Sequence, residues 1–93
     1  MRDIRVGSFA EAIAGHDSGK WYVIFRIENE YVYLVDGRIR TLDRPKKKKV
    51  KHIRILNHFD PLLADKISNE TVRNEEIKRS LKLLQKGNSC KEV

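Results

Sequence analysis

Apolar and polar residues alternate most clearly in KWYVIFRIENEYVYLV, which begins at Lys20. In its first half, Trp21 and Phe25 fall on the apolar side and Tyr22 on the opposite one. A period of two predicts a strand buried mainly on one face. Glu-Asn then links it to a second run rich in β-branched and aromatic residues, and Asn29 tolerates a left-handed conformation. The string therefore predicts a β-hairpin.

A second tight turn is predicted at Asp36-Gly37, because a type I′ turn needs positive φ at both central residues. The following RIRTL, residues 38–42, would place its two arginines on one face and its isoleucine on the other. We expect it to form the next strand. Beyond the lysine run, VKHIRIL, residues 50–56, alternates isoleucines with His and Arg and predicts a closing strand.

The N-terminal string IRVGSFAEAIAG has a weaker pattern, but it forms no helical stripe and most of it is predicted to be strand. The chain would then hold five short strands within about 56 residues, joined by tight turns. Such spacing is typical of a small closed or half-closed antiparallel barrel. The predicted fold class is mainly β, with a C-terminal α-helix.

Helical patterns begin after the last predicted strand. DPLLADKI could form a helical turn starting at Pro61. NEEIKRSLKLLQKG predicts a helix with Asn74 as N-cap, acidic residues in the first turn, cations later and Gly87 as the stop.

Apolar residues of that helix recur at helical spacing, at Ile77, Leu81 and Leu84. This stripe should dock on the barrel or on a partner. We therefore divide the chain into a barrel, residues 1–56, and a helical extension, residues 57–93, whose last six residues are expected to be frayed.

The chain of 93 residues is long enough for one small domain. Its single cysteine, Cys90, excludes a disulfide within the chain and suits a reducing compartment. The N-terminus carries charged residues without the apolar core of a signal peptide, and no apolar run nears the roughly 20 residues that span a membrane. We expect a cytoplasmic protein.

The net charge of +7 is concentrated in one segment. Between residues 38 and 54 nine cations stand against one anion, Asp43, so the rest of the chain is near neutral. A localised cluster of this kind is typical of a surface that binds a polyanion.

The string AIAGHDSGKWYVIFRI, residues 12–27, resembles the KOW motif of ribosomal proteins and transcription elongation factors. The matching positions are Ile13, Gly15, Gly19, Lys20, Val23 and Ile27. Together with the lysine run, the chain is similar to small KOW-domain RNA-binding proteins that resemble eukaryotic large-subunit ribosomal proteins. The resemblance implies an SH3-like barrel and a non-enzymatic, RNA-binding function in translation. Tyr22 stands where many KOW motifs have another glycine.

The expected partner is ribosomal or other structured RNA, or the ribosome itself, with no cofactor, small-molecule substrate or membrane. Glycines would let the backbone approach a phosphate, and an aromatic ring at Tyr22 could stack on a base. The candidate RNA-binding residues are Gly15, Gly19, Lys20, Tyr22, Arg38, Arg40, Arg44, Lys46, Lys47, Lys48, Lys49, Lys51, His52 and Arg54.

Simpler explanations exist for the basic segment. Lysines and Pro45 on an edge strand would block edge-to-edge aggregation. PKKKKV also has the composition of a nuclear-import signal, although such signals need an accessible, extended segment. Nine cations exceed what one edge needs, and their repulsion has a cost unless a polyanion relieves it. Nucleic-acid binding is therefore favoured.

Two further alternatives differ in class. Barrel and helix could form a protein-interaction module that docks an acidic ribosomal or transcription partner. His16 beside Asp17 invites a catalytic interpretation, but neighbours in a loop give no evidence of a nucleophile or metal within reach. The three histidines lack metal-ligand spacing, so neither an enzyme nor a metal site is expected.

Overall fold

The computed structural model describes residues 4–16 and 18–91. The elements are β1 (Ser8–Ala12), β2 (Trp21–Glu28), β3 (Tyr31–Val35), β4 (Lys46–Lys49), a 3-10 helix (Val50–His52), β5 (Ile53–Phe59), α1 (Pro61–Ser68) and α2 (Asn74–Lys91). The predicted hairpin is present between β2 and β3. Its turn falls on Asn29 and Glu30, one residue later than predicted, and Asn29 has the expected left-handed φ of 55°.

The strands form one antiparallel sheet in the order β4-β3-β2-β1-β5. The 3-10 helix leads from β4 at one edge directly to β5 at the other, so the sheet curls into a half-barrel. Register shifts between Ile24 and Arg26 and between Ser8 and Ala10 mark bulges, which increase local bend and twist. The predicted mainly β, SH3-like five-stranded barrel with a C-terminal helix is confirmed.

Each face of the sheet buries its own hydrophobic cluster. The inner face, enclosed by the curl, is filled by Ala10, Ala12, Tyr22, Ile24, Val32, Leu34 and Ile53. The outer face buries Phe9, Val23 and Val35 against helix residues Leu63, Ile67, Ile77 and Leu81. The strands β1, β2 and β3 contribute to both clusters, and β2 is the central strand of the sheet.

Both helices pack on the outer face. At the start of α1, Asp60 Oδ1 accepts hydrogen bonds from the backbone N–H groups of Leu62 and Leu63, and Pro61 stands in the first turn. The predicted apolar stripe of α2 docks on the barrel, since Ile77 is fully buried and Leu81 nearly so.

The fourth strand lies where the sequence did not predict it. Residues 38–42 form bends, and β4 is the lysine run itself. Asp36 is the cause: its Oδ1 accepts from the N–H groups of Arg38 and Arg40, and its own N–H donates to Arg40 O. Such local bonds compete with a strand ladder. Gly37 has φ of +79° but Asp36 has no positive φ, so the type I′ turn is absent.

The ends of α2 also differ from the prediction. Arg73, rather than Asn74, precedes the helix, and its carbonyl accepts from the N–H groups of Glu76 and Ile77. Asn74 instead accepts from the Leu42 N–H at 2.9 Å and anchors the loop after β3. The helix continues beyond Gly87 to Lys91. One interior glycine costs a helix about 1 kcal/mol, which is too little by itself to end it.

The division of the chain at residue 56 stays a prediction, although β5 itself continues to Phe59. Neither α1 nor α2, as far as the structure describes them, is long and apolar enough to cross a membrane.

Candidate functional site

The lysine run is an edge strand whose side chains alternate between the two faces. Lys47 lies opposite Tyr33 and Lys49 opposite Tyr31 on β3, while Lys46 and Lys48 lie opposite inner-face residues. Paired residues of an antiparallel ladder project to the same side. The four consecutive lysines are therefore divided between the outer and inner sides of one edge.

On the outer side the lysines meet two tyrosines. Lys47 Nζ lies 4.5 Å from the centre of the Tyr31 ring and 5.9 Å from that of Tyr33. The Arg26 guanidinium lies 5.9 Å from the Tyr33 ring. Both rings are half-buried, and Lys47 is exposed. We call Arg26, Glu28, Tyr31, Tyr33, Lys47 and Lys49 the tyrosine face.

Glu28 is the acidic member of the tyrosine face. It pairs with Arg26 at 3.0 Å and accepts a hydrogen bond from the Tyr33 hydroxyl at 3.1 Å. This carboxylate offsets the charge of Arg26 and fixes the Tyr33 ring. Within the part of the chain that the structure describes, no carboxylate pairs with Lys47 or Lys49. The face consequently keeps a net positive charge.

The glycine loop between β1 and β2 lies beside the lysine strand. Lys48 Nζ donates to the Ala14 carbonyl at 2.9 Å, and a Cβ built on Gly15 would lie 3.8 Å from that ammonium. Gly15 and Gly19 have φ of +82° and +93°, which an L-residue with a side chain rarely adopts. The structure thus brings together two predicted parts of the site that are more than 30 residues apart in sequence.

The other end of the glycine loop borders a groove against α2. Gly19, Lys20, Trp21, Asp36, Arg38 and Ile39 line one wall, and Glu75, Lys78, Arg79, Leu81, Lys82 and Gln85 line the other. The groove has a volume of about 990 Å³. Five cations and two carboxylates border it, so a second basic surface lies next to the loop.

Arg54 belongs to neither surface. It pairs with Glu11 across β1 and β5, in the cross-strand row that continues to Trp21. The tyrosine face lies at the opposite end of β2. A side chain already paired with a carboxylate is a weaker candidate for phosphate contact.

The other predicted cations occupy separate positions. Arg44 and Lys51 are exposed, while Arg40 and His52 are half-buried. The His52 carbonyl accepts from the Ile13 N–H and closes the half-barrel beside the glycine loop. The predicted basic residues are therefore not one set: the lysines of β4, Arg38 in the groove and the Glu11-paired Arg54 lie apart, and the four residues named here belong to none of these three places.

Tyr22 requires a correction. As predicted, its side chain projects to the other side of the strand from that of Trp21. That side is the inner face, however, and only 2% of Tyr22 is exposed. A ring enclosed by the barrel cannot stack on a base without unfolding of its surroundings. The error arose because β2 is buried on both faces, so alternation alone did not identify the exposed side.

Some site residues were missed in the sequence. In EYVYLV, Tyr31 and Tyr33 point to one side of the strand, and the buried Val32 and Leu34 point to the other. This alternation could have identified the two tyrosines as site residues. Lys78, Arg79 and Lys82 lie on the polar side of α2, a pattern that any solvated helix shares.

Asp43 is an acidic residue in the loop between β3 and β4, among the predicted cations. The hydroxyl of Thr41 donates to Asp43 Oδ1 at 2.7 Å and lowers the pKa of this carboxyl. Its charge reduces the repulsion among the neighbouring cations. His16, for which a catalytic role beside Asp17 was considered and not favoured, is exposed, and Asp17 lies outside the described residues.

No protein-family profile matches the chain, and no curated protein sequence is similar to it. Among solved structures it is similar to a chain of the MjSpt4:Spt5 complex in conformation B, with a TM-score of 0.55 and 22% identity. The match covers 64% of this chain and 42% of that chain, so this protein corresponds to less than half of its neighbour's length. The likeness concerns the fold alone and agrees with the SH3-like half-barrel.

Proposed function

We propose that this protein is a non-enzymatic RNA-binding module that contacts phosphates through β4 and the glycine loop. The observation that carries the proposal is the hydrogen bond from Lys48 Nζ to the Ala14 carbonyl, which holds the lysine edge beside exposed positive-φ glycines. Cations meet phosphate oxygens, and glycines permit close approach of the backbone.

Charge density favours this function over edge protection. β4 is an edge strand, so its lysines do discourage strand addition. Lys47 and Lys49 lie two residues apart on the same side of β4, and no carboxylate of the described residues pairs with either of them. Like charges on one side of a strand repel each other until a polyanion neutralises them.

Ribosomal or other structured RNA is the proposed ligand class, and the ribosome the proposed assembly, in the cytoplasm. The support is the resemblance to ribosomal-protein-like KOW domains through the glycine loop and the lysine run. The proposal includes no cofactor, metal, small-molecule substrate or membrane.

A salt titration and a charge-removal variant test RNA binding. If about six phosphates are neutralised, log affinity falls with log salt at a slope of about −4 to −5. Replacing all four residues of Lys46–Lys49 by Thr, which suits a strand, should make the slope less steep by about 3.

In the matched control, three cations of α2 are replaced by glutamine: Lys78, Arg79 and Lys82. Crosslinking and sequencing should recover much less RNA with the β4 variant than with the wild type, and the α2 variant should show a smaller loss of RNA. Circular dichroism checks that both variants are folded. Equal losses would mean that net charge, rather than the lysine edge, determines binding. A flat salt response would contradict the proposal.

A protein-interaction module is the second candidate. The similar solved structure is part of the Spt4:Spt5 complex, an assembly of proteins. In this chain the α2 groove offers cations around the half-buried Trp21 and Ile39, which is 72% exposed. This combination suits an acidic peptide with apolar residues, for example from a transcription partner. The second candidate would be favoured if the glutamine variant of α2 no longer bound a protein partner but still bound RNA.

A further inference from the structure

The tyrosine face has the composition of a base-stacking platform. We propose that Tyr31 and Tyr33 stack on unpaired bases of single-stranded RNA while Lys47 and Lys49 hold the flanking phosphates. This inference rests on the proposed RNA-binding function and specifies which part of the RNA is bound. It moves base contact from Tyr22, buried on the inner face, to the outer side of β3.

Strand geometry gives the two rings a common direction. Residues two apart on a strand project to the same side, about 6.8 Å apart along it. Val32, between Tyr31 and Tyr33, points to the inner cluster. Successive bases of a helical strand are about 3.4 Å apart, so two successive bases reach both rings only when the strand is extended. The faces of bases inside a duplex are covered by their stacked neighbours, whereas unstacked bases of a single strand can each meet a ring. The face therefore selects single strands.

Lys47 covers the tyrosines in the free protein, with its ammonium 4.5 Å from the Tyr31 ring centre. Giving up an exposed cation–π contact costs a factor of about 2 to 5 in affinity. Stacking of a base on an aromatic ring gains a factor of about 5 to 150. A phosphate that attracts Lys47 away from the ring repays part of the cost as well. Exchange of the ammonium for a base is thus favourable.

The pairing of each lysine with an aromatic ring favours RNA over an acidic peptide as the occupant. The peptide would satisfy Lys47 and Lys49, but it need not offer flat rings to Tyr31 and Tyr33. RNA supplies an anion and a π-face in each nucleotide, matching the alternation of lysine and tyrosine across β3 and β4.

Glu28 fixes the position of one of the two stacking rings. By accepting from the Tyr33 hydroxyl and pairing with Arg26, it holds the Tyr33 ring in place before binding. A ring fixed in advance loses less conformational entropy when a base stacks on it.

The test compares an eight-nucleotide single-stranded RNA with an abasic strand of equal length and charge. The wild-type protein should bind the RNA at least about 5-fold more tightly than the abasic strand. Changing both Tyr31→Leu and Tyr33→Leu should remove this preference and leave affinity for the abasic strand within about 2-fold. The control, Tyr31→Phe with Tyr33→Phe, keeps both rings and loses the hydrogen bond to Glu28, so it should keep most of the preference.

The outcomes separate the two proposals. If neither strand binds, both the RNA-binding function and the stacking platform are wrong. If both strands bind equally well to the wild-type protein, RNA binding stands and stacking is overturned, whether or not the leucine variant folds. A preference for bases that survives in a folded leucine variant also overturns the platform, as does binding of an acidic peptide that outcompetes the RNA at this face.

Discussion

The outer face of the sheet has two unlike regions on the same strands. At its covered region, Val23 and Val35 are fully buried beneath α1 and α2. Two residues earlier along β3, Tyr33 and then Tyr31 are only half-buried and meet cations instead of helices. The helices thus stop short of the tyrosines. The covered region supplies stability, and the open tyrosine face is left for binding.

The largest expected effect comes from opening the covered region with Ile77→Ala. Ile77 is fully buried between α2 and the sheet, and truncation of such a side chain costs about 2–5 kcal/mol of unfolding free energy. Urea denaturation measures the loss.

The control is Tyr31→Phe on the open face, which keeps the half-buried ring and removes only its hydroxyl. It should change the unfolding free energy by less than about 0.5 kcal/mol. Equal losses from the two variants would mean that the regions do not differ in their contribution to stability.

Two glycines with the same backbone requirement sharpen the comparison. Gly37 and Gly19 both have positive φ, of +79° and +93°, but of the two only Gly37 lies against α2, where a Cβ would collide with the Asn74 carbonyl oxygen. Gly19→Ala should cost only the left-handed conformation, about 1–2 kcal/mol. Gly37→Ala should cost about 1–3 kcal/mol more, because backbone must move. Thermal unfolding of both variants decides whether the α2 contact is as tight as the structure shows.

The covered region was largely predictable and the charged edge was not. In the hairpin, alternation with β-branched residues predicts strands because one side of each strand is buried, as Val23 and Val35 are beneath the helices. The lysines of β4 carry no such pattern, since an edge strand is held by backbone pairing with β3. Residues 38–42 alternate but are bonded by Asp36 and held at Leu42 by Asn74, 32 positions away.

The candidate site was predictable as a set of residue types rather than as an arrangement. The glycine loop and the lysine run were identified from the sequence, but their contact through Lys48 and Ala14 depends on the closure of the half-barrel. Because β2 is buried on both faces, the prediction that Tyr22 contacts a base was wrong. No short window of sequence contains that information.

The start of α2 predicts a pH dependence. The Lys66 ammonium bonds Glu76 and, with the Arg73 N–H, lowers the pKa of this carboxyl from its ordinary value. A lowered folded-state pKa means that the stabilisation is complete above the unfolded value and is lost as pH falls through the folded value. The melting temperature of Glu76→Gln should therefore differ from wild type most near neutral pH and converge with it in acid.

Glu75→Gln is the matched control, because Glu75 is exposed in the same turn. Its melting temperature should follow that of the wild type across the acid range more closely than that of Glu76→Gln does. A difference for Glu76→Gln that stays constant from neutral pH to about pH 3 would contradict the role assigned to the charged carboxylate.

The smallest expected effect concerns Arg54, which Glu11 already neutralises. A surface ion pair of this kind contributes about 0–1 kcal/mol, so Arg54→Gln should barely change the unfolding free energy. Its effect on the RNA salt slope should also be small. Lys49→Gln removes a cation unpaired among the described carboxylates, at the open tyrosine face, and should reduce the slope by about 0.7–0.9. If Arg54→Gln reduced the slope as much as Lys49→Gln, the bound strand would have to extend past the covered region to both ends of β2, and the tyrosine face would be only part of the surface.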